Sequence, residues 1–344
     1  MSLPFDPPLE PMLAKAAPEI PRDGSWRYEP KWDGFRAVVF RDGDHVHIAS
    51  RNALALERYF PELIAPLQAA LPDRCIVDGE VVIATDHGLD FDALQLRIHP
   101  AASRVRMLSE QTPASTVLFD LLALGDDDLR ERPLVERRAG LLEAVTTSPI
   151  VGITPQTTDP DEATIWFTRY EGAGLDGVVA KNPNGTYRPG ERRWIKVKHL
   201  RTVDCVVGGY RLAKTGDGIG SLLLGLYDSA GALHHVGHTS SFDAAERRAI
   251  LKDLQPLVGG ESFGHGRTPG GPSRWAREAE SAWTSVRPEL VCEVSFDHLQ
   301  SGRFRHASRF LRWRPDKDPQ SCDFDQLSPP EAFSLEDILV TPGG

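Results

Sequence analysis

The sequence predicts an α+β protein of two domains, and three observations lead there. The chain has 344 residues, 40% of them hydrophobic, enough for two cores rather than one. Up to His199, extended and helical runs alternate. Beyond it, short strands separated by glycine-rich turns take over. The boundary therefore falls near 199–202, giving domains 1–199 and 200–344.

Each element has a local reason. Residues 28–50 read as strands. VVF, the turn RDGD and HVHIA carry the Asp-Gly hairpin signal between extended runs, so Lys31 is expected on a sheet beside a tight turn. ERYFPELIAPLQAAL (57–71) spaces its apolar residues as a helix does. RCIVDGEVVIA (74–84) is extended, FDALQLRI (91–98) helical, and STVLFDLLAL (115–124) a buried strand. RPLVERRAGLLEAV (132–145) is a helix. DEATIWFTRYEGAG (161–174) is another, closing on glycine. LDGVVAK (175–181) and RWIKVKH (193–199) are strands. In the second half DCVVGGYR, GSLLLGLYD, LHHVGHTS, LVCEVSFDHLQ and RFLRWRP are strands, interrupted by one helix, DAAERRAILKDLQPLV (243–258). Short strands plus one helix predict a small β-barrel of the OB type. The end, SPPEAFSLEDILVTPGG, reads as a tail or a docked helix.

Composition narrows the class. No run of about 18 apolar residues is present, so no membrane span is expected. The start lacks a basic stretch followed by an apolar one, so no signal peptide is read. Four scattered cysteines without a CxxC pair fit a reducing cytoplasm and argue against structural zinc. The net charge of −10 opposes nucleic-acid binding, but its distribution does not. Segments 187–201 and 303–317 each carry six Lys or Arg and one acid. Two such stripes on an acidic body suit local phosphate binding, or two solvated faces.

Several clusters carry chemistry. On the strand RWIKVKH, Trp194, Lys196 and Lys198 share one face, and two adjacent lysines repel unless an anion lies between them. A solvent-facing sheet edge guarded by lysine is the plain alternative. Glu80 and Asp176 each precede an apolar run, and a buried carboxylate needs a partner. A divalent cation would serve both if the sheets bring them together; otherwise each caps a turn. Arg314 and Lys317, with Asp316 between them, could grip a triphosphate tail or form an exposed turn. GDGIGSLLLG (216–225) resembles a dinucleotide loop, but no helix follows, so a hairpin is expected.

Read in order, KWDG (31–34), SRN (50–52), VDGE (77–80), FDLL (119–122), DGVVAK (176–181), WIKVK (194–198) and RPDK (314–317) resemble the motif series of covalent nucleotidyltransferases. The likeness is strongest to ATP-dependent DNA ligases, in particular the compact bacterial C type, and runs from PMLAK to RPDK. It implies a nucleotidyltransferase domain of ATP-grasp-like antiparallel sheets with helices, followed by an OB-fold domain. It implies ATP and a divalent metal, Mg2+ or Mn2+, as cofactors. Nicked duplex DNA is the implied substrate, sealed by a monomer, with possible recruitment by DNA-repair proteins.

The resemblance also implies roles. Lys31 is the nucleophile that takes AMP. Glu29 reads the adenine edge, Arg36 contacts nucleotide or nick, and Arg51 and Glu80 contact the ribose. Phe119 stacks on the base. Lys181, Lys196 and Lys198 surround the α-phosphate, with Glu80 and Asp176 near the metal. Arg314, Asp316 and Lys317 act over the pyrophosphate. The family usually has Glu where this chain has Asp176, which is one methylene shorter.

An amine attacks phosphorus only when unprotonated, and neighbouring cations favour that form. Lys181, Lys196, Lys198 and a metal are the expected neighbours. Asp33 is the odd one, since a close carboxylate favours the ammonium; its expected role is orientation. Two alternatives remain on sequence grounds: an mRNA-capping-type guanylyltransferase, and a non-catalytic OB-fold nucleic-acid-binding protein.

Overall fold

The computed structural model describes residues 2–85, 88–169, 175–199, 201–263, 267–269, 282–297, 299–300, 302–327 and 338–339. Two compact units form: Met1–His199 with Pro329–Gly344, and Leu200–Ser328.

The first unit holds two sheets. One has four strands: β1 (Leu13–Ala16), β2 (Arg27–Lys31), β8 (Gly177–Lys181) and β9 (Arg192–Lys198), in the order β1-β9-β8-β2. The other runs β7-β6-β5-β3-β4, from β3 (Phe35–Asp42), β4 (His45–Ser50), β5 (Arg74–Val82), β6 (Ser115–Leu124) and β7 (Val151–Ile153); the short strand Asp127–Asp128 adds to β6. The expected β3–β4 hairpin is present, with Gly43 at φ +62° in its turn.

Both faces of the second sheet are buried, which is why its strands read as near-continuous apolar runs. Val39, Val77, Leu118 and Leu121 face the helices, alongside Phe60, Leu67 and Leu141. Val38, Ile76, Phe119 and Leu122 share the opposite core with Tyr187 and Trp194. Trp194 belongs to the four-stranded sheet, so the two sheets pack through Phe119 and Trp194, edge to face with centroids 6.0 Å apart.

The helices Phe91–Arg97, Leu134–Ala144 and Pro160–Arg169 lie where periodicity places them. The end predicted for the last, 170–174, lies outside the described residues. Segment 57–71 begins as a 3-10 turn, Pro61–Leu63, before the helix Ile64–Ala70. A further helix, Ala102–Gln111, was not expected from sequence. It buries only Val105, so its apolar pattern is too thin to announce it.

In the second unit β10 (Arg201–Leu212), β11 (Ile219–Tyr227), β12 (Leu233–Thr239), β13 (Val291–Phe296) and β14 (Arg309–Trp313) follow the order β12-β11-β10-β13-β14. The outer strands approach one another at a Thr239–Ser308 bridge, so the sheet curls on itself. The glycine-rich segment 216–225 is the β10–β11 hairpin, as expected. The helix Ala244–Leu254 starts with a capping box of Asp243 and Glu246. Cys205 and Cys292 are direct cross-strand partners, and with Cys322 they are fully buried in this core; Cys75 is buried in the first unit, and all four are free thiols. Most of the predicted tail is outside the described residues. Its two described members belong to the first unit, where Ile338 packs in a cluster with Trp32, Val82, Val117 and Leu175.

Candidate active site

A pocket of about 200 Å³ opens in the first unit, lined by Glu29, Lys31, Arg36, Arg51, Glu80, Phe119, Lys181 and Lys196, with Trp32 and Trp194 among its apolar walls. Eight of the residues singled out from sequence thus meet in one cavity.

Strand register brings them together. Across the four-stranded sheet Glu29 pairs with Val179 and Val179 with Lys196; one step along, Lys31 pairs with Gly177 and Gly177 with Lys198. Gly177 sits at φ +131°, and a Cβ there would lie 2.0 Å from the Val197 carbonyl oxygen. Only glycine fits between the two lysine-bearing strands.

The turn into β8 sets Asp176 beside that row. Its amide donates to the Lys31 carbonyl at 2.8 Å. Its Oδ2 is 2.5 Å from Lys31 Nζ and 2.9 Å from Lys198 Nζ. So a carboxylate touching Lys31 is Asp176, and it ties Lys31 to Lys198, whereas sequence reading set Lys198 against Lys196 and looked for an anion between those two. Asp33 acts here on Glu80, as a nearby negative charge.

Lys181 is buried, with Nζ 2.6 Å from Glu29 Oε2 and 4.5 and 4.3 Å from the ring centroids of Phe119 and Trp194. Burial pulls its ammonium below the usual lysine range, against the charge of Glu29. Lys196 is also lowered, by burial first and by Lys31 and Lys198 next. Gln156 Nε2 donates to the other Glu29 oxygen at 2.8 Å.

Arg36 forks onto Asp78 through Nε and Nη2, both at 2.6 Å, and its guanidinium lies over Phe119 and Trp194. Tyr187 OH donates to Asp78 at 2.6 Å and accepts from the Met12 amide at 2.9 Å. Arg36 is therefore a fixed cation in the wall, held by a buried network.

Glu80 faces Arg36 across β3 and β5. Burial pushes its carboxyl up to about 7, against the pull of Arg36 and Lys31. A cation beside it would relieve that cost. Among the described residues no group of three or more His, Cys, Asp or Glu could hold a metal alone. The residues present fit the Mg2+ habit of taking one or two carboxylates and leaving the rest to phosphates and water.

Arg314, Asp316 and Lys317 lie in the second unit. Arg314 Nη1 donates to Asp204 at 2.9 Å and its Nη2 to Asp316 at 2.9 Å; Lys317 Nζ is 3.7 Å from Asp204. The basic stripes are partly neutralised as well: Arg188 pairs with Glu131, Arg193 with Glu191 and Arg312 with Glu293.

Residues 11–198 match the family described as ATP dependent DNA ligase domain, and residues 215–317 match the ATP dependent DNA ligase C terminal region. The chain belongs to the ATP-dependent DNA ligases. It is 54% identical to DNA ligase C of Mycobacterium tuberculosis over 98% of this chain and 99% of that one. It is 51% identical to DNA ligase C1 of Mycolicibacterium smegmatis, again over 98% and 99%. A solved Lig E DNA ligase, 18% identical, superposes with a TM-score of 0.54 over 88% of this chain and 99% of that one, a likeness of fold alone. For this ligase the guanylyltransferase and non-catalytic readings fall away.

Sequence reading of the ligase missed four residues around the pocket: Asp78, Thr154, Gln156 and Tyr187. Asp78 lies inside the VDGE motif and Tyr187 inside a basic stripe, so both were in view. Nothing local marks Thr154 or Gln156, whose partners lie 122 and 127 positions away.

Proposed function

We propose that this ligase seals 3′-OH/5′-phosphate nicks in duplex DNA through a lysyl-AMP formed on Lys31. The observation that supports it is the convergence of Lys31 with Glu29, Arg36, Glu80, Phe119, Lys181 and Lys196 in a single pocket.

Phosphoryl transfer is mostly positioning and charge neutralisation. In this reading Glu29 meets the adenine edge, Phe119 the base, and Arg51 and Glu80 the ribose. Lys181 and Lys196 face the α-phosphate as Lys31 Nζ attacks and pyrophosphate leaves. Lys198 anchors Asp176 beside the nucleophile. Asp176 sits where it can take up the proton that Lys31 must lose, a contact of 2.5 Å. Arg314 and Lys317, with Asp316, act on the pyrophosphate side, and the second unit that carries them we take to be an OB-type barrel from its curled five-strand path and the helix Ala244–Leu254. AMP then passes to the 5′-phosphate of the nick, and the 3′-hydroxyl displaces it. A divalent ion held by Glu80, with Asp176 as a second donor, supplies charge neutralisation on the phosphates when bound.

A role in DNA repair is supported by the 31% identity to the multifunctional non-homologous end joining protein LigD of Mycobacterium bovis over 90% of this chain and 39% of that one. We place the enzyme in the cytoplasm as a monomer, from the cysteine usage and the size of its two cores. No helix among the described residues is long and apolar enough to cross a membrane.

The test compares wild type with Lys31→Ala using ATP labelled at the α-phosphate. Wild type becomes covalently labelled and seals a nicked duplex. The variant takes no label yet seals a nick supplied already adenylylated. Labelling of Lys31→Ala at the wild-type level ends this reading.

A further inference from the structure

The segment 153–157 grips the chain on both sides of the nucleophile, at β2 and at the residue that follows it. Trp32 Nε1 donates to Thr154 Oγ1 at 2.9 Å, and Gln156 Nε2 donates to Glu29 Oε1 at 2.8 Å. Lys31 stands between the two gripped residues.

The segment is itself anchored to both sheets. Thr154 donates its amide to Leu118 of β6 at 2.9 Å, and its carbonyl accepts from Arg138 Nη2 at 2.5 Å. Thr157 exchanges two backbone bonds with Tyr28 of β2, at 2.9 and 3.0 Å. Thr154 is fully buried. Few degrees of freedom are left to Gln156, so its amide arrives at Glu29 already oriented.

Glu29 is buried in the pocket wall, with Lys181 on Oε2 and Gln156 on Oε1. An ionised carboxylate has about four acceptor sites. Gln156 takes one by a directed hydrogen bond and Lys181 lies 2.6 Å from the other oxygen as an ion pair, so the amide is the contact that fixes the plane of the group. Lys181 alone would not fix it, because an ammonium is a point charge that a carboxylate can pivot around.

We propose that Gln156 is a positioning residue that sets nucleotide specificity: its amide holds the Glu29 carboxylate so that a remaining acceptor site faces the pocket. A purine with an amino donor at C6 satisfies that site. A purine with a carbonyl there presents an acceptor to an acceptor and leaves both unpaired. This rests on the reading that the pocket takes ATP.

The experiment measures covalent labelling of the full chain by ATP and by GTP, each labelled at the α-phosphate, for wild type, Gln156→Met and Gln156→Glu. Methionine keeps the reach and removes the donor. The half-saturating ATP concentration should rise roughly tenfold in Gln156→Met, the scale of one hydrogen bond to a charged group, and the preference for ATP over GTP should fall with it. In Gln156→Glu two carboxylates lie within hydrogen-bond reach and share a proton as the pH falls. The protonated one then replaces the amide donor, so the ATP preference of this variant should recover as the pH falls. A merely structural role for Gln156 moves neither the nucleotide ratio nor this profile. An unchanged ATP:GTP ratio in Gln156→Met, or a flat profile in Gln156→Glu, overturns the proposal. If Gln156→Met does not melt cooperatively, the Gln156→Glu profile decides alone. A wild-type chain that takes no label from either nucleotide overturns the ATP reading as well, and is told apart by that fact.

Discussion

Asp176 Oδ2 lies 2.5 Å from Lys31 Nζ, within direct ion-pair contact of the nucleophile. Because Lys198 meets the same oxygen, one carboxylate offsets the repulsion of two ammonium groups across Gly177. Replacing Asp176 by Asn removes the shared charge and any proton acceptor at that position. Single-turnover labelling by ATP should slow by about tenfold or more, the cost of a lost charged contact in a buried site. Asp176→Glu should recover part of the rate, since the longer arm restores the carboxylate but not its place. Equal rates for wild type and Asp176→Asn would reduce this carboxylate to a structural spacer.

Gly177 is the hinge of that arrangement. Gly177→Ala forces a Cβ to within 2.0 Å of the Val197 carbonyl oxygen. The strand must part from β9 or take a new path, and stability should fall by about 3 kcal/mol or more. Urea unfolding of the first unit measures this directly. Lysyl-AMP labelling should disappear with it.

Tyr187→Phe removes a hydroxyl that donates to Asp78 and accepts from the Met12 amide. Both partners are left short inside a buried network, at a cost of about 1–3 kcal/mol. Arg36 keeps its two bonds to Asp78, so ATP affinity should change less than the melting temperature does. A larger loss of affinity than of stability would contradict that ordering.

The second unit carries its own pH dependence. Burial, with Arg303 and Arg211 nearby, lowers His235 to about 3 from the ordinary value of 6.5. The ring accepts from Arg303 Nη2 at 2.9 Å, and it neighbours His238 and Phe263. The unfolded chain binds a proton near pH 6.5 that the folded chain refuses until about pH 3, so acid favours unfolding across that window. Stability should drop as the pH falls from 6.5, by up to about 1.4 kcal/mol per pH unit from this group. The urea midpoint of wild type against His235→Gln between pH 4 and pH 7 reads it: the slope should flatten in the variant.

Metal dependence should run through Glu80. Chelation should stop labelling by ATP, and Glu80→Ala should raise the concentration of Mg2+ or Mn2+ needed for half-maximal labelling. The same metal titration for both chains would answer it.

Much of the first unit was legible because its strands advertise themselves. Arg74–Val82 and Ser115–Leu124 are buried on both faces and read as apolar runs. The Asp-Gly hairpin is a local signal, and β3 and β4 pair antiparallel across it. The helix Ala102–Gln111 was not legible, because a single buried valine gives no period to detect. In the pocket, Lys31, Glu80, Lys181 and Lys196 stood inside short motifs. Gln156 did not, since its meaning comes from a partner on a distant strand. The pairing of Asp176 with two lysines was hidden for another reason: alternation along a strand says nothing about the turn that precedes it.

The four buried thiols give the molecule a built-in clock. Burial pushes Cys75 up to about 12 and Cys322 up to about 11, and raises Cys205 and Cys292 as well. A thiol reagent therefore finds nothing to modify until the chain opens. Cys75 belongs to one unit and the other three to the second, so the mass gained in a timed exposure distinguishes which half has opened and how often.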